Sequence, residues 1–351
     1  MRLPSLAGLL VALLPPVARA ALPEGRADAF WRRDVSAAPL DPQSAEVISW
    51  VAQNGGFGYG HFQIDFSIEV LATDPSTPFV PFTPTGDWWD PDCDADPVPL
   101  PAGGALEGET GYACVSDGDC HLIVYDAPTQ RLFEMWRANL VSTTLYGGCL
   151  AIWDLGARYG PYGRGHDCSS ADAAGMPIAP LLFDADELAA GSIDHAIRFI
   201  LPNAEIQHAT YVSPGSHATR AASGGSSAPP YGARLRLRAD FPLDSLPNDG
   251  ARVVARALQK YGMILADGGN IALTARSDRS TAAKWADWLG SHDLYAITFG
   301  DFEMVDGGAR QAWDGNCVRV PEPGPTGAAL VALAALARVA RARAWRARPV
   351  L

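Results

Sequence analysis

The sequence has no basic stripe, no C-x-x-C pair, no G-x-S-x-G elbow and no internal repeat. Each absence closes off a class. Lys+Arg number 27 against Asp+Glu 39, a formal net charge of −12, and the basic residues gather at the C-terminal end. Nothing in the body of the chain is suited to neutralising phosphates, so nucleic-acid binding is not expected. The cysteine spacings fit no zinc pattern. Ser169 and Ser170 lack the strand-turn-helix setting of a hydrolase nucleophile. No regular alternation of strand and helix points to a doubly wound parallel sheet.

What is there favours strands and turns. The chain has 35 Gly, 28 Pro, 10 Trp and 10 Tyr, a mix that suits many short strands better than a helical bundle. Period-two alternation over 62–70 sets Phe62, Ile64, Phe66, Ile68 and Val70 on one face, and Gln63, Asp65, Ser67 and Glu69 on the other. Residues 121–136 read as a hairpin turning at 126–130. Further strands are expected at 149–155, 192–201 and 234–238. A hairpin is expected over 263–274, around Asp267-Gly268-Gly269-Asn270. Short helices are expected within 30–51, from 184, over 251–261 and over 281–289. Val253, Val254, Ala257, Leu258 and Tyr261 form the stripe of the third, and Gly262 stops it. Segment 79–101 reads as a long surface loop, and 214–230, rich in Ser and Gly, as mobile. The expected fold is mainly β: a jelly-roll-like β-sandwich decorated with a few short helices, one domain over 21–318.

The two ends carry address signals. Met1-Arg2, the apolar stretch 6–14 and Ala18-Arg19-Ala20 predict a signal peptide over 1–20. At the other end, Val320-Pro321-Glu322-Pro323-Gly324 precedes the apolar run 327–337 and Arg338, Arg341, Arg343, Arg346 and Arg348. The run is shorter than the ~20 residues that span a bilayer. This order resembles the C-terminal PEP-type sorting signal of exported Gram-negative proteins. The resemblance implies an exosortase-type processing enzyme as partner, membrane contact only through the tail 319–351, and a surface or secreted destination. Residues 132–136, 151–155, 169–199, 229–241 and 255–269 together resemble an uncharacterised family of exported bacterial proteins. That resemblance implies one compact exported domain and brings no assigned activity.

Six cysteines in an exported chain predict disulfides. Cys114 and Cys120 bracket a short turn and form the easiest bridge. Six cysteines permit fifteen pairings and leave the connectivity open; Cys149 with Cys168, which would brace the glycine-rich loop, and Cys93 with Cys317 would complete one set. Asp90, Asp92, Asp94 and Asp96 form an oxygen-rich loop that could hold a structural Ca²⁺, although it lacks the glycine and terminal glutamate of an EF-hand. No metal site and no cofactor is otherwise called for.

The candidate chemistry rests on carboxylates and aromatics. Glu134 and Asp154 lie on successive expected strands, and a carboxylate pair across a sheet face could hydrolyse a glycosidic bond. Trp136 and Trp153 would supply stacking platforms for sugar. His195 is the third candidate, oriented by Asp172 or Glu187 if it acts as a base. A buried histidine bonded to a carbonyl or a carboxylate is the plainer reading. Asp194 and Asp267 complete the acids considered. The expected role is an exported surface or matrix protein, structural or adhesive. A carbohydrate-active enzyme or carbohydrate-binding domain acting on surface polysaccharide is the alternative.

Overall fold

The structure, a computed structural model, describes residues 21–320. The signal-peptide reading of 1–20 and the sorting-tail reading beyond 320 lie outside the described residues. The main strands are, in chain order, β1 (Ile64–Ile68), β2 (Leu71–Ala72), β3 (Leu122–Asp126), β4 (Arg131–Met135), β5 (Leu150–Asp154), β6 (Ile197–Leu201), β7 (Arg234–Leu237), β8 (Met263–Gly268), β9 (Leu273–Arg276) and β10 (Phe302–Val305). The α-helices are α1 (Ser44–Gln53), α2 (Ala185–Ala190), α3 (Asp249–Lys260) and α4 (Trp285–Trp288). A six-stranded sheet runs in the order β1-β9-β6-β8-β7-β10, and a four-stranded sheet in the order β5-β4-β3-β2. The chain is mainly β, with several sheets and a few short helices, as a decorated β-sandwich requires. Ile64, Phe199 and Leu265 of the large sheet share one hydrophobic cluster with Ile123, Leu132, Ala151 and Trp153 of the small one.

Local signals account for most elements. In α3, Asn248 Oδ1 accepts the Ala251 N–H at 2.8 Å, capping an end whose first amides have no helical partner. Val254, Ala257 and Leu258 are buried. Gly262 follows at φ 70°, where an added Cβ would strike the Leu235 carbonyl, so the helix stops there. The hairpin β3–β4 forms in register from Leu122↔Met135 to Asp126↔Arg131.

Two expectations fail for reasons beyond local sequence. β8 and β9 do not pair as a hairpin, because β6 lies between them. Ile197, Phe199 and Leu201 bury completely there, with Phe199 opposite Leu265 on one side and Leu273 on the other. The Asp-Gly-Gly-Asn turn reverses the chain, but turn chemistry does not say which strand fills the gap. Segment 214–230 is not loose either. Ser216 is fully buried, and its hydroxyl donates toward the carbonyls of Cys168 (2.9 Å) and Gly175 (3.1 Å).

Cys114 pairs with Cys120 as expected, but the other bridges are Cys93–Cys149 and Cys168–Cys317. Backbone pairing decides this. Asp94 N donates to Leu150 O at 2.8 Å, which sets Cys93 beside the start of β5. Gly165–His166 pairs with Val318–Arg319, which carries Cys317 to Cys168. The folded chain therefore extends through Arg319, which the sequence assigned to the tail.

Peptide mapping without reduction is expected to return these three pairs and no Cys149–Cys168 linkage. The closed loops span 6, 56 and 149 residues. Chain entropy then predicts stability losses of about 2, 4 and 5 kcal/mol for paired Cys→Ser variants, in that order, measured by denaturant unfolding.

Candidate functional site

The register separates the expected acid pair. In the small sheet Glu134 lies opposite Ala151, and Asp154 opposite Arg131. Side chains alternate along a strand, so Glu134 shares a face with Leu132, Ala151 and Trp153, and Asp154 shares the other with Phe133 and Met135. The two carboxylates cannot act on one bond. Asp154 instead accepts the Gly156 N–H at 2.9 Å in the turn after β5. Trp136 is also no open platform: it packs against the main core and donates to Asp119 Oδ1 at 3.0 Å.

Glu134 is fully buried. Its carboxylate accepts the N–H of Ile178 at 2.9 Å, that of Ala179 at 2.8 Å, and Trp153 Nε1–H at 3.1 Å. Burial pushes its pKa up to about 7 against the pull of the two backbone amides. It holds segment 170–183 onto the small sheet and fixes the Trp153 ring. His195 is a clamp: Nδ1 lies 2.8 Å from Ala196 O and Nε2 3.1 Å from Glu187 Oε1. Glu187 also belongs to the capping box of α2 with Asp184. Burial opposes the charge on His195, but Glu187 outweighs it and raises the pKa.

Asp172 is drawn elsewhere. It takes a two-point bond from Arg198, with Nε–Oδ2 and Nη2–Oδ1 both 2.8 Å. The same guanidinium reaches Thr274 Oγ1 at 3.1 Å and Asp267 Oδ2 at 3.4 Å. Pairing across β1, β9, β6 and β8 sets Asp65, Thr274, Arg198 and Asp267 on one face of the large sheet. Asp65 and Asp267 are half-buried, and burial raises both pKa values, Asp267 well above the carboxylate range with help from the charge of Asp172. Glu107 pairs with His121 at 2.6 Å. Burial works against its charge, but the His121 imidazolium holds it down to about 2, and the same pairing lifts His121 to about 9. Around one buried arginine, burial thus favours the neutral form of Asp65 and Asp267, while His121 favours the ionised form of Glu107.

Asp92 and Asp94 of the aspartate-rich loop are taken up by protein contacts, and Asp90 and Asp96 are exposed. Asp94 Oδ2 accepts the Ile152 N–H and Arg164 Nη2, both at 2.7 Å, and Arg319 binds Asp94 Oδ1 at 2.7 Å. Among the described residues, the groups close enough to share a metal are Asp92 with Cys168 and Cys317, and Glu109 with Cys114 and Cys120. Both rely on disulfide sulfurs, which leaves one carboxylate each.

A cleft of about 610 Å³ opens between the N-terminal arm, the end of β5 and the loop at Ser213-Pro214. Phe30 and Tyr159 are half-buried in its lining, and Trp31 and Trp153 are buried beside them. Tyr159 meets Trp153 edge-on, with centroids 5.3 Å apart, and its hydroxyl accepts the Asp154 N–H at 2.9 Å. Arg33 and Arg234 line the same cleft. Of the sequence candidates only Trp153 reaches it. Phe30, Arg33, Tyr159 and Arg234 had no local signal: the alternation 234–238 marks a strand, not which of its faces meets a cavity. No protein-family profile, curated protein or solved structure matches this chain.

Glu134→Gln turns an acceptor oxygen into an NH₂ that faces a backbone donor. A loss of about 1–3 kcal/mol is expected, seen as a fall of several degrees in Tm; an unchanged Tm would contradict the buried role. The Glu107–His121 pair sets a pH signature. Glu107 has its folded pKa below the unfolded one, so its share is present above about pH 4.5 and lost as pH falls toward 2. His121 has its folded pKa above, so its share is full below about pH 6.5 and lost as pH rises through about 9. Urea unfolding of His121→Gln across pH 2–10 is expected to flatten both flanks.

Proposed function

We propose that this chain is an exported surface protein that binds carbohydrate in the Phe30–Tyr159 cleft. One observation carries the reading: half-buried aromatic side chains and polar groups converge in a cavity of saccharide size, and Trp153 is held at its edge by the buried Glu134. A sugar ring presents apolar C–H faces and hydroxyls, so it needs an aromatic surface together with hydrogen-bonding groups. The address signals at the two ends and the three disulfides support an oxidising location outside the cytoplasm.

A glycan array followed by calorimetry tests the reading. Tyr159→Ala is expected to weaken binding about two- to tenfold, since a stacked ring contributes about 0.5–1.5 kcal/mol. Tyr159→Phe, which keeps the ring and loses the bond to the Asp154 N–H, should retain most of the affinity. The absence of binding on a panel of neutral and acidic glycans would end the proposal.

A hydrolytic second reading rests on a different observation, the half-buried Asp65 and Asp267 on one face of the large sheet with Arg198. Carboxyls whose surroundings push their pKa values apart suit acid-base cleavage of a glycosidic bond. Release of reducing ends that Asp267→Asn abolishes would establish it. No release from any polysaccharide that binds would leave binding alone.

A further inference from the structure

We propose that the ligand of this cleft is an acidic saccharide, its uronate carboxylate bound by Arg33 and Arg234; this rests on the carbohydrate reading above. Among the described residues the buried arginines are Arg164, Arg198, Arg234, Arg236 and Arg276. Arg164 pairs with Asp94, Arg198 with Asp172, Arg236 with Glu303 and Arg276 with Asp184. Arg234 is the exception: among the described residues no carboxylate lies within ion-pair distance of it. Its bonds go to the carbonyls of Tyr261 (2.8 Å), Phe30 (3.1 Å) and Arg33 (3.3 Å). These take three of its five N–H donors, leave one on each Nη, and do not cancel its charge.

A guanidinium does not shed its proton as lysine can, so burial leaves the charge in place. Burial and the nearby Arg33 both act against that charge. Arg33 itself is exposed, lines the cleft, and has no ion pair among the described residues. Of the other charged groups there, Asp28 is engaged by both Arg26 and Arg158. Asp306 is exposed and accepts the Gly308 N–H at 2.8 Å. The charged lining is thus Arg26, Arg33, Arg158 and Arg234 against Asp28 and Asp306, an excess of two positive charges in a protein of net charge −12. A ligand anion would offset the repulsion and the burial together. A planar carboxylate suits arginine's paired donors, and when it is carried on a pyranose its ring can meet Phe30 or Tyr159.

The test uses the mature exported protein and calorimetry at low and moderate salt. The probes are oligomers of galacturonate, mannuronate and glucuronate, the same oligomers with carboxyls reduced to CH₂OH, and inorganic phosphate. At least one uronate oligomer is expected to bind tenfold or more tighter than its reduced form, and to weaken as salt rises. Arg33→Gln should bring the acidic oligomer down to the affinity of the reduced one and leave the reduced one unchanged. Arg234→Lys, which keeps the charge but loses the fork, should also lower the acidic preference. Equal affinity for acidic and reduced oligomers, with no effect of Arg33→Gln, would overturn the acidic inference and leave the carbohydrate reading standing. Binding of phosphate with neither oligomer would overturn the saccharide as occupant. No binding of any probe would overturn both.

Discussion

The two-point bond between Arg198 and Asp172 is the constraint on which the rest of the interior depends. Arg198 sits on β6, at the middle of the large sheet, and Asp172 on the segment that lies against it. Both are buried, so each would be costly alone, and together they are tolerable only in one arrangement. Removing one partner of such a pair costs about 3–5 kcal/mol, far more than the pair contributes over an apolar replacement. Its value lies in position. It pins residue 172, and from there the chain reaches Ala174, whose N–H bonds to Ala266 O of β8, and Ile178 and Ala179, whose N–H groups bond to Glu134 of the small sheet.

Segment 170–183 is therefore a connector between layers, held by polar groups from both. Sheets that pack directly can slide, because apolar contact has little direction. Carboxylates that receive N–H groups at 2.8–3.0 Å fix the register of the connector to within a fraction of a residue. The same connector supplies Gly175, Met176 and Pro177 to the lining of the cleft. Glu134 thus shapes the cavity from behind, through Trp153 and through the connector, without entering it. A strand acid flanked by aromatics can be an interior fastener as well as a surface group. The difference is the presence of a second layer.

The disulfides and the Asp94 contacts hold the periphery in the same way. Arg164 and Arg319 converge on Asp94, and Cys168–Cys317 closes the chain end onto the loop that leads into the connector. The N-terminal arm is fixed by arginines of the large sheet. Arg236 donates to the carbonyls of Val35 and Ala38, and Arg234 to those of Phe30 and Arg33. That arm forms one wall of the cleft, so binding and tertiary stability draw on the same residues.

Much of this was legible without coordinates, because its causes are local. The alternation of 62–70, the hairpin 121–136 and the stripe and stop of α3 follow from side-chain period, turn residues and the conformational freedom of Gly262. Cys114–Cys120 follows from a short loop. The mainly β composition follows from the distribution of Gly, Pro and aromatics. Chain neighbours could not reveal what depends on partners far away in sequence. β6 comes between β8 and β9, Cys93 meets Cys149 rather than Cys317, and Glu134 and Asp154 fall on opposite faces of one sheet. The charges of Arg198 and Arg234 look alike in the sequence, each on a strand beside apolar neighbours. Only packing gives one of them Asp172 and leaves the other facing a cleft, because the field at a buried charge is set by groups that folding, not the chain, brings within a few ångströms.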